Sequence, residues 1–338
     1  MNFKTKPNEI TAETYHRSEE YKKYISSSVL KQMLVSPKWM RYCQLNPDDK
    51  RIGLEVQLKG NVYHDMLASI TNCGDLKDFY KTWIVFTPPV NEKTGKAYGY
   101  TSLKFTDAYE SFKAANEGKE VCSQTEIDMA NAMIEELLNG NSHLSSDVKF
   151  LIKHGKAEVS HFAEYEDLFF KYRTDLETNT KIVDWKSCGF EEPKIENWGR
   201  KAIKYGYDIS AAFYQYFEFI STGKWKKFYW VAQEKEPPFD FNIIDAGNFA
   251  FEIYNGEFKD SVVIPEDSEN FSFKTETQIA VAGPGAIKML KLLEEYIYCA
   301  DKNAWPGYSI FTKPDWKNRR IAQSDVPGWI TNETFYND

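Results

Sequence analysis

Asp175, Asp184 and Lys186 lie in the stretch "FKYRTDLETNTKIVDWKS", two acids and a base set among β-branched and aromatic residues. The polar "ETNT" between two apolar runs is the pattern of a β-hairpin. A turn centred between Asn179 and Thr180 sets Asp175 opposite Asp184, and directly paired strand residues hold their Cβ atoms about 4.5–5.5 Å apart. Two carboxylates that close repel unless a cation lies between them. Side chains alternate along a strand, so Lys186 projects from the same face as Asp184 and Ile182, while Val183, Trp185 and Ser187 point the other way. Two carboxylates with main-chain oxygens are hard ligands of the kind Mg²⁺ takes while keeping several waters. A neighbouring lysine can orient a metal-activated water or stabilise charge developing on a phosphate. The same residues could instead form a cross-strand salt bridge on a solvated sheet face, which contributes little. The apolar neighbours Leu168 to Phe170 and Ile182-Val183 favour a partly buried site, where like charges persist mainly for function.

The elements around this hairpin follow from periodicity. "AEVSHFAEY", "DLFFKYRTDL" and "TKIVDWKSC" read as three successive strands of an antiparallel meander, each rich in β-branched or aromatic residues and separated by polar breaks. "KKFYWVAQEK" is a further strand, and between them "ENWGRKAIKYGYDISAAFYQYFEFISTG" reads as helical with a break near Gly206. Upstream, "SSSVLKQMLVSPKWMRYCQLN" predicts two short helices parted at Pro37, "LEVQLKGNVYHDMLASI" is mainly helical, and "SQTEIDMANAMIEELL" is a helix with an N-terminal Ser/Thr cap and an acidic first turn. "WIVFTPPV" predicts an edge strand stopped by Pro88-Pro89, followed by an exposed excursion within residues 80 to 120. "GAIKMLKLLEEYIYCADK" gives a late helix. The expected architecture is α/β, a mixed central sheet with an antiparallel meander flanked by helices. The chain divides into an arm over 1–25, one domain over 26–300, and an irregular Pro- and Trp-rich extension over 301–338.

Composition narrows the function. The 338 residues are 42% hydrophobic and 16% aromatic, enough for a large core and inconsistent with a wholly disordered chain. A net charge of -8 lacks the general basic footprint of nucleic-acid binders, so any DNA surface must be local. Residues 181 to 235 hold ten Lys/Arg against seven Asp/Glu, a mildly basic segment in an acidic protein. Cys43, Cys73, Cys122, Cys188 and Cys299 are scattered and odd in number, which speaks against a disulfide framework and against a zinc or iron–sulfur site. The first thirty residues lack an apolar signal core and no run is long enough to span a bilayer, so a cytoplasmic protein without membrane contact is expected.

Asp175 followed by Ile182-Val183-Asp184-Trp185-Lys186 resembles the D…(D/E)xK signature of the PD-(D/E)xK nuclease superfamily. The flanks "ISSSVLKQMLVSPKWMRY", "GNVYHDML", "AEVS", "YRTDL", "IVDWKS", "YGYDISAAFY" and "WPGY" occur in the order found in phage and prophage exonucleases similar to the C-terminal nuclease domain of exodeoxyribonuclease VIII. The resemblance covers roughly residues 15 to 310. It implies the restriction-endonuclease-like core, with Asp175 and Asp184 as metal ligands and Lys186 as the catalytic lysine. His64 in "GNVYHDML" matches the family's helical histidine at the metal, and Glu158 in "AEVS" matches an acid of the metal or water shell. Tyr207 and Tyr214 match family positions, which the resemblance assigns with Ser210 to DNA binding, whereas Ser210 stands where related exonucleases have Gln in "YGYDxQAAFY", a residue for phosphate or water positioning. Gln215 lies five positions on and, with about 3.6 residues per turn, does not share that face. Lys194, Arg200, Lys201 and Lys204 are candidates for phosphate contacts, or an ordinary solvated helix face.

The activity so implied is Mg²⁺-dependent hydrolysis of one strand of a double-stranded DNA end, 5′ to 3′, with Mn²⁺ able to substitute. The 3′ strand would pass to a RecT-like single-strand annealing protein, and homo-oligomeric rings would hide basic residues in a channel. Alternatives are an endonuclease, a Cas4-like processing nuclease, for which the clustered cysteines are missing, and a non-catalytic DNA-binding or phage protein that keeps the fold.

Overall fold

A computed structural model describes residues 10, 14–15, 18–46, 54–140, 143–165, 168–256 and 262–307. In chain order its helices are α1 (Glu19–Lys22), α2 (Ser27–Met33), α3 (Pro37–Leu45), α4 (Leu54–Cys73), α5 (Lys77–Thr82), α6 (Leu103–Ala115), α7 (Gln124–Asn139), α8 (His143–His154), α9 (Ile195–Tyr205), α10 (Tyr207–Thr222) and α11 (Pro284–Asp301). The strands are β1 (Trp83–Phe86), β2 (Glu120–Ser123), β3 (Lys156–Tyr165), β4 (Leu168–Glu177), β5 (Lys181–Cys188), β6 (Lys227–Glu234), β7 (Phe241–Asp245), β8 (Phe251–Asn255), β9 (Phe273–Lys274) and β10 (Gln278–Ala282).

The central sheet has the order β3-β4-β5-β6-β7. β3, β4 and β5 form the antiparallel meander, β6 joins β5 in parallel across the α9/α10 crossover, and β7 returns antiparallel. The mixed α/β class expected from the pattern of elements is the one observed. Such a sheet must be covered on both faces, and β5 shows how. Ile182 enters one core beside Phe213, Phe217 and Trp230, while Val183 and Trp185 enter the other beside Val62, Tyr63 and Met133. α2, α3, α10 and α11 line the first core, and α4, α6, α7 and α8 line the second.

Local chemistry fixes the boundaries. Ser36 accepts a hydrogen bond from Trp39 N–H at 3.0 Å with Pro37 in the first turn, the arrangement in which proline costs the helix no donor. Ser123 and Glu126 form a reciprocal capping box for α7. The stretch read as an exposed excursion contributes α6, whose Phe105 and Tyr109 are buried in the second core, and β2, which pairs in parallel with β1. A three-stranded sheet of order β8-β10-β9 packs against the first core. In the N-terminal arm, Tyr15, Tyr21 and Tyr24 are buried around Phe162 of β3. Of the C-terminal extension, Trp305 stacks edge-on against Tyr296, and 308–338 lies outside the described residues. No helix among the described residues is long and apolar enough to cross a membrane.

Candidate active site

The β4/β5 hairpin keeps the register read from the turn, with Leu176 opposite Val183 and Glu177 opposite Ile182. One step further, where Asp175 and Asp184 would pair, the ladder stops. Asp175 Oδ2 takes the place of a strand carbonyl and accepts the Trp185 N–H at 2.8 Å. β5 meanwhile continues along β6 over its whole length, so β4 and β5 separate at the two acids and leave a gap. A carboxylate that satisfies a strand N–H avoids the cost of an orphaned buried donor while holding its own charge at the mouth of the gap.

Lys186 fills part of that gap. Its Nζ donates to Asp184 Oδ1 at 2.5 Å and to the Trp185 carbonyl at 3.3 Å, and it stands 5.2 Å above the Tyr207 ring, a cation–π contact. Burial disfavours the ammonium, but Asp184 and Asp175 outweigh it and raise its pKa above the ordinary lysine value, so Lys186 is a stable cation at neutral pH. Asp184 is 8% exposed, and its second oxygen, Oδ2, is buried without a hydrogen-bond partner among the described residues. An unpartnered buried carboxylate oxygen costs a few kcal/mol unless something binds it. Burial and the neighbouring Asp184 charge push the Asp175 carboxyl well above its usual range, with Lys186 pulling back.

His64 reaches the site from the opposite layer. α4 buries Leu58, Val62, Tyr63, Met66 and Leu67, a helical spacing that turns one face to the sheet. The Tyr63 hydroxyl donates to Gln233 Oε1 at 2.7 Å, and Gln233 is itself anchored to the Met133 and Phe239 carbonyls. This clamp on β6 fixes the neighbouring His64, whose Nδ1 lies 3.4 Å from Asp175 Oδ2. Burial, with Lys186 adding, pulls the imidazole down to about 4, so it is neutral near pH 7.

The remaining sequence candidates divide by position. Glu158 continues the β3/β4 register opposite Asp175, but its backbone takes φ 57° and its carboxylate is held by Arg173. Tyr214 is partly buried, bonded to Ser27, and close enough to Asp184 and Asp175 for their charges to raise its pKa after burial. Ser210 is buried and its hydroxyl returns to the Gly206 carbonyl of its own helix at 3.4 Å. Gln215 is committed elsewhere: its amide donates to the Lys226 and Phe251 carbonyls and accepts the Phe251 N–H. On α9 and the loop before it, Lys194 pairs with exposed Glu191 and Lys201 with Glu192, while Arg200 and Lys204 are exposed.

Sequence reasoning missed Lys31. In the last turn of α2, its aliphatic stem lies on Gly206, where an added Cβ would come within 2.7 Å of Cδ. Burial, with Lys186 adding, brings its ammonium down to about 8. Among the described residues no carboxylate lies in ion-pair range of it, although Asp184 and Asp208 act on it electrostatically. No spacing rule connects a lysine of an N-terminal helix to a hairpin so distant in sequence.

A second charged cluster lies nearby. The ligand atoms of His161, Glu177 and Glu218 fall within 4.8 Å of one another. Lys226 Nζ stands 2.8 Å from Glu218 and 3.7 Å from Glu177, and the Tyr172 hydroxyl donates to Glu218 at 2.6 Å. An ammonium already supplies the charge that a metal would bring, so this cluster reads as an ion-pair network tying β4 to α10. At Asp184, by contrast, Oδ2 has no hydrogen-bond partner among the described residues.

A mixed sheet whose antiparallel hairpin splays to set two aspartates and a lysine together defines a PD-(D/E)xK-type core. Over residues 76–264, more than half its length, the chain matches the family described as PDDEXK-like domain of unknown function (DUF3799), and it belongs to that family. No curated protein matches the chain. Among solved structures, one described as "Putative exonuclease" from Eubacterium rectale is similar at 15% identity and a TM-score of 0.49, covering 97% of this chain and 100% of that one.

Proposed function

We propose that this protein is a divalent-metal-dependent DNA exonuclease that degrades one strand of double-stranded ends from the 5′ terminus. The observation that carries the reading is the convergence of Asp175, Asp184 and Lys186 with a buried Asp184 oxygen that has no hydrogen-bond partner among the described residues. Two carboxylates suit Mg²⁺, with Mn²⁺ as a substitute, and His64 lies 3.4 Å from Asp175. Bound by Asp175 and Asp184, such an ion supplies Lewis-acid charge and a more acidic water.

The chain's own groups do the rest. Asp184 and Asp175 would hold the ion. Lys186, fixed by Asp184 Oδ1 and the Tyr207 ring, presents ammonium protons to a phosphate oxygen or to the attacking water, a role in charge stabilisation. Neutral His64, hydrogen-bonded to the Trp185 backbone and with Nδ1 3.4 Å from Asp175 Oδ2, borders the two carboxylates. The product, a 3′ single strand, is the substrate an annealing protein requires, and a homo-oligomeric ring would gather local basic surface on an acidic chain.

Linear duplex labelled at the 5′ or the 3′ end, incubated with Mg²⁺ beside a Lys186→Ala variant, tests this. Early release of the 5′ label, lost in the variant, is expected. Absence of digestion with any divalent metal would sink the nuclease reading, and early 3′ release would reverse the polarity.

A further inference from the structure

The junction between α9 and α10 builds something beyond a metal site. Gly206 adopts φ 65°, ψ 31° and ends one helix while starting the next. This left-handed residue brings Tyr205 and Tyr207 together, their centroids 5.7 Å apart and planes 25° from parallel. Tyr207 is backed by buried Trp198 at 5.9 Å and 26°, and Lys186 stands over its ring. Tyr205 is 48% exposed, so the outer end of this stack of rings is open to solvent. Lys204 Nζ lies 5.3 Å and Lys201 Nζ 5.8 Å from the Tyr205 centroid. Lys201 is paired with Glu192, whereas Lys204 has no carboxylate in ion-pair range among the described residues. The Lys31 stem lies against Gly206.

An exposed aromatic ring beside cations, leading inward to the catalytic lysine, has the chemistry of single-strand nucleic-acid binding. There, bases stack on rings while ammonium groups follow the phosphates. We propose that Tyr205 is a base-stacking residue, which with Lys31 and Lys204 as phosphate contacts seats a nucleotide next to the bond that is cut. This rests on the nuclease reading for its role, since the scissile bond is placed by Asp184 and Lys186. A base has a π face whatever its identity, so the platform accepts any sequence, as an exonuclease needs.

The test uses the full chain with Ca²⁺ in place of Mg²⁺ and a single-stranded oligonucleotide carrying 2-aminopurine near its end. Stacking is expected to change the 2-aminopurine fluorescence in the wild type and to be lost in Tyr205→Leu. With Mg²⁺, Tyr205→Leu should raise KM for DNA about tenfold with a small change in kcat, and Tyr205→Phe should restore both readouts because it keeps the ring. Lys31→Gln should lower the slope of affinity against salt by about one phosphate contact. Equal fluorescence and KM in Tyr205→Leu and wild type would overturn the stacking role. Equal losses in the Phe and Leu variants would overturn it as well, assigning the effect to the hydroxyl. An unchanged salt slope would remove Lys31. Failure of the nuclease reading is separable: a wild type that cuts no DNA yet shows the fluorescence change would keep the platform and lose the catalysis.

Discussion

Asp175→Asn should stabilise the metal-free protein while removing its metal site. In the wild type, the Asp175 carboxyl is disfavoured as an anion first by burial and then by Asp184. Charges about 6 Å apart in an effective dielectric near 20 repel by about 3 kcal/mol, and attraction to Lys186 offsets a large part of that. Asparagine keeps the oxygen that accepts the Trp185 N–H and loses the charge, so the expected gain near neutral pH is about 1–2 kcal/mol. The sign with pH follows from linkage. A carboxyl whose folded pKa is raised binds its proton more tightly when folded, so its contribution falls as pH rises from the unfolded value through the folded one. The advantage of Asp175→Asn should therefore be present at about pH 8 and shrink toward about pH 4. Thermal unfolding in the presence of a chelator, at several pH values, measures this. A variant less stable than wild type at about pH 8, or a gain independent of pH, would refute the argument that two crowded carboxylates are maintained here for metal binding.

Removing the cation has the opposite effect. Lys186→Ala leaves both acids without a counter-charge and should cost about 3 kcal/mol in thermal unfolding at neutral pH, part of it recovered on acidification, besides abolishing cleavage. Asp184→Asn should keep the fold but lose Mn²⁺ binding in a calorimetric titration; an unchanged titration would count against the ligand assignment. His64, held down to about 4, binds its proton less tightly when folded, so its contribution to stability is full above the unfolded histidine pKa and is lost as pH falls from about 6.5 to about 4; His64→Gln should remove that loss, about 3 kcal/mol, in acid unfolding. Gln215→Ala strips partners from two carbonyls and one N–H and should lower stability by about 3 kcal/mol with Mn²⁺ affinity retained, since the residue is not part of the site.

Short-range rules made the hairpin legible. The "ETNT" turn set the register, and alternation put Asp184 and Lys186 on the face of Ile182. The helix break at Gly206, the cap at Ser123 and the strand β6 came from equally local signals. The sequence by itself thus determined the meander, β6 and most of the helices around them, and nominated the acid, acid, lysine set, because turns, caps and pleats act over a few residues, while α6, α8, β2 and β7 to β10 carried no such local signal. Tertiary structure decided what those residues face. Trp185 N–H turns to the Asp175 carboxylate, which splays the strands. Tyr63 locks His64 over the gap through Gln233. Arg173 engages Glu158. Lys31 lies across Gly206, far along the chain. Each of these depends on which helix packs on which face of the sheet, a choice made by the burial of whole layers, and no spacing within a single segment encodes it.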